Sequence, residues 1–153
     1  MGRVREGAQE SLDAQRLFDD VKGIADTGFV VAFANRNDLH HEWAIGVAAQ
    51  VTEPLLTCEA VLAEAAFHLQ NVAVILGLIG DGLVKVAFAC DEHLPHLAAL
   101  AKKYADRKPD LADLCLIRMS ELYPRHSIIT VDRRDFRVYR RNKREAIPLL
   151  CPP

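Results

Sequence analysis

The stretch Ser127–Asp132, which reads SIITVD, decides the predicted fold. It is a short run of mostly β-branched residues, which is typical of a strand buried inside a sheet. The run ends at an acidic residue, so a charged side chain follows directly after the predicted strand. A second short strand, Val21–Ala25, ends in the same way at Asp26. We therefore expect both aspartates at the carboxyl ends of buried strands.

Predicted strands alternate with predicted helices along the chain. This alternation favours a parallel sheet that is covered on both faces. We predict an α/β fold, specifically a three-layer α/β/α sandwich with a central, mostly parallel sheet. Asp38 and Thr57 are expected to cap helices. The predicted strands are Val21–Ala25, Pro54–Thr57, Leu83–Ala89, Ser127–Val131 and Ala146–Leu150; the predicted helices are Phe29–Ala34, Asp38–Gln50, Cys58–Leu69, Val72–Ile79, Glu92–Tyr104 and Asp110–Leu122.

Length and charge limit the possible classes of protein. A chain of 153 residues is long enough for one domain with its own core. We assign residues 21–150 to that domain and residues 1–20 to an N-terminal extension. The formal net charge is −2, so the overall charge predicts no nucleic-acid partner, and any such partner must be recognised by a local patch.

The cysteines and the apolar runs indicate a reducing, cytoplasmic location. The 4 cysteines are widely spaced and match no zinc-binding pattern, so we expect reduced thiols. The polar N-terminus lacks the apolar core of a signal peptide. The run Val72–Ile79 is too short to span a bilayer, and we expect no membrane partner.

Four acidic residues are candidates for one divalent-cation site. Asp26 and Asp132 follow strands, and ligands of parallel sheets bind at that edge. Glu64 lies at the margin of the apolar stripe of its helix, and Asp113 has apolar neighbours in sequence. Each acid also has an ordinary alternative role. An aspartate after a strand often caps a turn, and Asp110 with Asp113 could simply begin a helix.

A cluster of carboxylates requires compensation for its charge. Two carboxylates about 4 Å apart repel by roughly 4 kcal/mol at an effective dielectric constant of about 20. Such a cluster either takes up protons or binds a hard cation. Mg²⁺ and Mn²⁺ prefer oxygen ligands, and either ion can activate water for phosphodiester hydrolysis.

Six short motifs occur along the chain in a recognisable order. They are Asp26–Phe29, Asn37–His41, Thr57–Leu69, Tyr104–Asp106, Asp110–Asp113 and Ile129–Phe136. Together they resemble the PIN-domain family, most closely the VapC-type toxins and their standalone relatives. The resemblance covers about Val21–Leu150, and the segment that contains Asp132 is its most specific part. The sequence departs from the usual pattern at Leu114, where an alanine is common.

The resemblance implies a metal-dependent ribonuclease. It implies that Asp26, Glu64, Asp113 and Asp132 bind Mg²⁺ or Mn²⁺ and hydrolyse RNA, leaving a 5′-phosphate and a 3′-hydroxyl. It further implies supporting roles for the hydroxyls of Thr27 and Thr130 and for the acids Asp110 and Asp135. An antitoxin protein and a homodimer partner are also implied. For dimerisation we expect the apolar helices Phe29–Ala34 and Val72–Ile79 to supply the surface.

A basic segment follows Asp132 directly and is the candidate RNA-contacting region. Its cations could follow a phosphate backbone, and Phe136 and Tyr139 could stack on unpaired bases. The alternative is a solvated basic surface with Phe136 in the core, and we expect a mixture with Phe136 buried. The candidate RNA-binding residues are Arg133, Arg134, Arg137, Arg140 and Arg141, followed by Lys143 and Arg144.

Two other functions share the same fold and acids. One is an RNA-binding or regulatory PIN module with little turnover. The other is a flap-type DNA nuclease, which the short chain disfavours because such enzymes carry additional DNA-clamping elements.

Overall fold

Five short parallel strands form the central sheet, in the order β3-β2-β1-β4-β7. The computed structural model describes residues 22–153. The predicted N-terminal extension, residues 1–20, lies outside the described residues. The strands of this sheet are β1 (Gly23–Ala25), β2 (Leu55–Thr57), β3 (Val84–Val86), β4 (Ser127–Ile129) and β7 (Leu149–Leu150).

Seven α-helices flank the sheet in the described part of the chain, so the predicted three-layer α/β/α sandwich is confirmed. Two short 3₁₀ turns, Cys90–His93 and Ala105–Arg107, flank α5. The helices are α1 (Thr27–Ala34), α2 (His41–Gln50), α3 (Glu59–Leu69), α4 (Val72–Gly80), α5 (Leu94–Lys103), α6 (Leu111–Leu122) and α7 (Arg133–Val138).

The central strand β1 is the most enclosed part of the sheet. Ile24 lies opposite Leu56 of β2 and Ile128 of β4. Ile24 and Ile128 are fully buried, as expected for a parallel strand that is covered on both faces. Gly23 allows this close packing, because a Cβ atom there would collide with the side chains of Ile129 and Leu55. The apolar run therefore fixes the place of Asp26 at the carboxyl edge of the sheet.

Helices α1 and α4, the two that we expect to supply a dimer surface, differ in burial. Phe29, Val30 and Ala32 of α1 are fully buried and Val31 and Phe33 are partly buried, so Phe29–Ala34 belongs mainly to the core. In α4, by contrast, Val72 is 63% exposed and Leu76 is 61% exposed. None of the helices within residues 22–153 is long and apolar enough to cross a membrane.

Two predicted helix caps are wrong. The Asp38 carboxylate accepts a hydrogen bond from the His40 backbone N–H at 2.8 Å, so it closes the turn before α2 rather than capping that helix. The Thr57 hydroxyl donates to the Ala25 carbonyl at 3.0 Å and thereby ties β2 to β1. Cys58 occupies the cap position of α3 instead. The Asp38 and Thr57 side chains thus hydrogen-bond to backbone groups other than those of the helices that they were expected to cap.

The C-terminal region contains elements that the sequence pattern did not predict. The basic segment begins with α7, and Asp132 caps this helix by accepting from the Asp135 N–H at 3.1 Å. The predicted strand Ala146–Leu150 is divided into two pieces. Strand β6 (Glu145–Ala146) pairs antiparallel with β5 (Arg140–Arg141), whereas β7 joins the main sheet beside β4. Pro148, which has no backbone N–H to donate, stands between the two pieces.

Candidate metal centre

An open cavity of about 480 Å³ lies where β1 and β4 lead into the helices that follow them. Its wall includes all four acids predicted to form the cation site, and these acids come from four separate parts of the chain. Parallel strands bring their carboxyl ends to one edge of the sheet, which explains this meeting. The acidic residues in the wall are Asp26, Asp38, Glu64, Asp110, Asp113, Asp132 and Asp135, and Thr27 lies among them.

Asp26 is the most firmly held of these acids. Its backbone N–H donates to the Ile129 carbonyl at 3.0 Å, which extends the pairing of β1 with β4 by one residue. One carboxylate oxygen accepts from the Thr27 N–H at 2.7 Å, so Asp26 also caps α1. The other accepts from the Thr130 hydroxyl at 2.7 Å. The Asp26 side chain is therefore both a helix cap and a candidate metal ligand.

The Thr130 hydroxyl connects the two strand-end aspartates. It donates to Asp26 and accepts from the Asp132 backbone N–H at 3.0 Å. Thr130 is fully buried, so these contacts hold its side chain in one orientation. The sequence prediction that Thr130 supports the acidic site therefore has a specific basis in the structure.

Asp113 lies in the first turn of α6, and Asp110 caps that helix. The Asp110 carboxylate accepts from the Asp113 N–H at 2.8 Å, which confirms Asp110 as a helix cap. The Asp113 carboxylate accepts from the Tyr139 hydroxyl at 3.4 Å. Tyr139 is buried, so the suggestion that its ring stacks on bases is wrong. The Tyr139 hydroxyl instead contacts Asp113, a candidate metal ligand. The sequence did not indicate this contact, because the two residues are far apart along the chain.

Glu64 and Thr27 complete the cavity wall. The Glu64 carboxylate lies 3.9 Å from the His68 imidazole, one helical turn along α3. The Thr27 hydroxyl oxygen is buried and has no hydrogen-bond partner among residues 22–153. Burial is the main cause that raises the pKa of the Glu64 carboxyl, and the charge of Asp110 adds to it, whereas His68 and the nearby Thr27 hydroxyl act in the opposite direction. A buried hydroxyl without a partner, facing a cavity, is available to a water molecule or a ligand.

Burial and mutual repulsion raise the pKa values of the two most enclosed carboxyls. Burial is the main cause for Asp26, whose pKa rises to about 6 despite the hydrogen bonds from Thr130 and Thr27. Burial also raises the pKa of Asp113 to about 7, with further contributions from the charges of Asp110 and Asp26. These carboxyls are close enough to resist simultaneous ionisation, and a cation would relieve that repulsion.

The residues fit a hard cation by the chemistry of their donors rather than by a formed coordination shell. Among residues 22–153, no three His, Cys, Asp or Glu side chains are arranged as a ready metal site. Three of the acids, Asp26, Asp110 and Asp132, each use an oxygen to cap a helix. The cavity nevertheless offers carboxylate oxygens and the unpartnered Thr27 hydroxyl, which are ligand types suited to Mg²⁺ or Mn²⁺.

The predicted RNA-contacting arginines have unequal positions. Arg133, Arg134 and Arg137 are exposed on α7, beside the acidic cavity. The guanidinium of Arg140 donates to two carbonyls of its own segment, those of Arg137 at 2.6 Å and Tyr139 at 2.9 Å.

Arg141 is a structural residue, so its assignment to RNA binding is corrected. It is only 6% exposed. Its guanidinium donates to the carbonyls of Ser120 at 2.9 Å and Pro124 at 3.2 Å, and it pairs with Glu145 at 2.7 Å. These contacts fix the β5–β6 hairpin to the end of α6.

Two cations near the acids were missed by the sequence reasoning. Arg107 and Lys108 line a recess of about 540 Å³ that shares Asp110, Asp113 and Asp135 with the acidic cavity. They stand directly before Pro109 and the cap of α6. Their closeness in sequence to Asp110 could have identified them as cations near the acidic site.

Comparison with known proteins adds no family assignment. No protein-family model matches the chain, and no curated protein matches it. The functional argument therefore depends on the residues described above.

Replacing Arg141 by alanine tests its structural role. We expect Arg141→Ala to lower the free energy of unfolding by about 1–3 kcal/mol, because the buried carbonyl of Ser120 and the partly buried carbonyl of Pro124 lose their donor. The exposed Arg144→Ala is the matched control and should change stability by less than about 0.5 kcal/mol. Urea unfolding measures both values, and equal stability of the two variants would contradict the assignment.

The raised pKa of Asp113 predicts the sign of a pH effect in the metal-free protein. An unfolded aspartate loses its proton near pH 4, whereas Asp113 in the folded protein has a pKa of about 7. The folded state therefore binds more protons across that interval, and its stability falls as the pH rises. Asp113→Asn lacks this titration, so it should gain stability relative to the wild type as the pH rises through the interval. Urea unfolding in the presence of a chelator measures this difference, and a difference independent of pH would contradict the prediction.

Proposed function

We propose that this protein is a Mg²⁺- or Mn²⁺-dependent endoribonuclease of the PIN-domain kind. The observation that carries the proposal is that Asp26, Glu64, Asp113 and Asp132 face one cavity although they are distant in sequence. Separate capping roles give no reason for four acids to share a cavity, whereas a shared cation does.

The acidic side chains would hold the cation and Thr130 would orient them. When bound, Mg²⁺ or Mn²⁺ neutralises negative charge and lowers the pKa of water, which favours attack on a phosphodiester. Asp26 is the best positioned ligand, because Thr27 and Thr130 fix both of its oxygens. The Tyr139 hydroxyl contacts one oxygen of Asp113 at 3.4 Å, which is a longer and weaker restraint. Asp26 and Asp113 must lose their protons to act as ligands, so binding is expected to release protons.

The cations around the cavity would bind the RNA backbone. Arg133, Arg134 and Arg137 lie along α7, whose first residue follows Asp132. Arg107 and Lys108 line the adjoining recess together with Asp110, Asp113 and Asp135. Phosphates near a cleaved bond could thus be neutralised while the bond itself lies at the acids.

The proposal also includes partners and a location. We propose a cytoplasmic toxin of a toxin–antitoxin pair, or a related standalone protein, that forms a homodimer. The exposed apolar residues of α4, together with the 78% exposed Phe67 that precedes it, are the supporting surface for dimer or antitoxin contacts. Both partners would cover apolar side chains that are otherwise in water.

Removing one candidate ligand tests the nuclease activity. We expect Asp26→Asn and Asp113→Asn each to abolish Mn²⁺-dependent cleavage of RNA, because an amide carries no negative charge. The matched control is Asp81→Asn, an exposed residue at the end of α4 outside the cavity. Cleavage is followed on end-labelled single-stranded and structured RNA, with a duplex DNA flap as a second substrate.

The outcomes of this experiment separate the rival functions. Undiminished RNA cleavage by both variants would reject the acidic site. RNA binding without turnover by the wild type would favour the regulatory module, and cleavage of the DNA flap alone would favour the DNA nuclease.

Neutralising α7 tests its role in RNA binding. We expect the triple variant Arg133→Ala/Arg134→Ala/Arg137→Ala to bind single-stranded RNA more weakly and with less dependence on salt. Each phosphate contact that is lost should reduce the slope of log affinity against log salt by about 0.7. Arg125→Ala is the control, since this exposed arginine stands before β4, at the opposite edge of the sheet. Binding isotherms at several salt concentrations give the slope, and an unchanged slope in the triple variant would exclude α7 from the interface.

A further inference from the structure

A second cavity, of about 880 Å³, shares no residue with the acidic cavity and has thiols in its wall. Cys58, at the cap of α3, and Cys90, at the start of the first 3₁₀ turn, both line it. Cys115 of α6 lies behind them and is fully buried. Three of the four cysteines of the chain therefore meet at one place, although 57 residues separate the first from the last of them in the sequence.

The sulfur atoms of Cys90 and Cys115 are in contact. They lie 3.4 Å apart, and all the cysteines are free thiols. A disulfide requires a separation of about 2.05 Å, so the two sulfurs must approach by about 1.4 Å. Cys90 belongs to a short turn that borders the cavity, whereas Cys115 is fixed in a helix. We therefore expect the Cys90 segment, which borders the open cavity, to make the movement that brings the two sulfur atoms together.

The three thiols differ in their access to solvent. Cys58 is only 2% exposed and Cys115 is fully buried, whereas Cys90 is half-buried in the turn that lines the cavity. A small oxidant in the cavity therefore reaches Cys90 more readily than either of the other two. Cys115 lies within contact distance behind it, as the enclosed partner of the pair.

We propose that Cys90 and Cys115 are a redox-sensitive pair that a peroxide converts into an intramolecular disulfide. Cys90, the half-buried member, attacks one peroxide oxygen; the O–O bond breaks, and a sulfenic acid and one water form. The Cys115 sulfur then attacks the Cys90 sulfur, the S–O bond breaks, and a second water carries away the Cys115 proton. The two thiols lose two electrons and two protons in total, and the peroxide is reduced to two waters.

The disulfide would join covalently two elements that only non-covalent contacts, such as the hydrogen bond from the Tyr123 hydroxyl to the Ala87 carbonyl, hold together in the reduced protein. It would link the segment after β3 to α6, which carries Asp113 two residues before Cys115. A thiol pair of this kind is compatible with a reducing compartment, where it would oxidise only under peroxide stress. The inference does not depend on the proposed nuclease activity, because its test measures thiols and bonds alone.

The test treats the full-length protein with hydrogen peroxide and counts free thiols before and after treatment. We expect the wild type to lose two of its thiols and the mass of two hydrogen atoms, with full reversal by dithiothreitol. Digestion without reductant followed by mass spectrometry should identify the Cys90–Cys115 peptide pair. Cys58→Ser/Cys151→Ser should behave in the same way, because it keeps the proposed pair. Cys58→Ser/Cys90→Ser is the matched control and should keep both remaining thiols.

Three results would overturn the proposal. They are a wild type that keeps all its thiols, a bond that maps to Cys58 with Cys115, and oxidation of Cys90 to a sulfinic acid without any bond. The mapping uses the wild type itself, so the conclusion stands even where a variant fails to fold.

Discussion

The repulsion between buried carboxylates at one edge of the sheet is the constraint on which this account depends. The fold places Asp26 and Asp113 in the same cavity and removes much of their contact with water. Without a cation, protonation and the hydrogen bonds from Thr130 and Tyr139 relieve the strain. An arrangement that opposes its own ionisation lowers stability, and cavity carboxyls with raised pKa values are candidates for a functional site.

The sequence predicts the sheet and the meeting of Asp26 with Asp132 because these follow from local patterns, whereas Glu64 and Asp113 joined the predicted site through the family resemblance. The apolar runs that end at Asp26 and Asp132 locate two strand ends, and parallel strands must end at one edge. Asp110 was recognisable as a cap from its position before a helix. In the described residues these elements are where the pattern puts them, although the strands are shorter than predicted.

The role of each charged side chain could not be predicted in the same way. Arg141 and Arg137 are neighbours in one basic segment, yet one is enclosed by the carbonyls of Ser120 and Pro124 and the other is exposed. Which cation is enclosed depends on the β5–β6 hairpin, and no apolar periodicity marks a strand of two residues. The thiol pair was hidden for the same reason, since Cys90 and Cys115 are brought together only by tertiary packing.

A crystal structure of the protein grown with Mn²⁺, read by the anomalous scattering of the metal, tests the central claim most directly. The account predicts a manganese ion in the acidic cavity, with carboxylate oxygens of Asp26 and Asp113 at bonding distance, about 2.0–2.2 Å. A cavity free of manganese at saturating metal, with these carboxylates still engaged only by Thr130 and Tyr139, would contradict it.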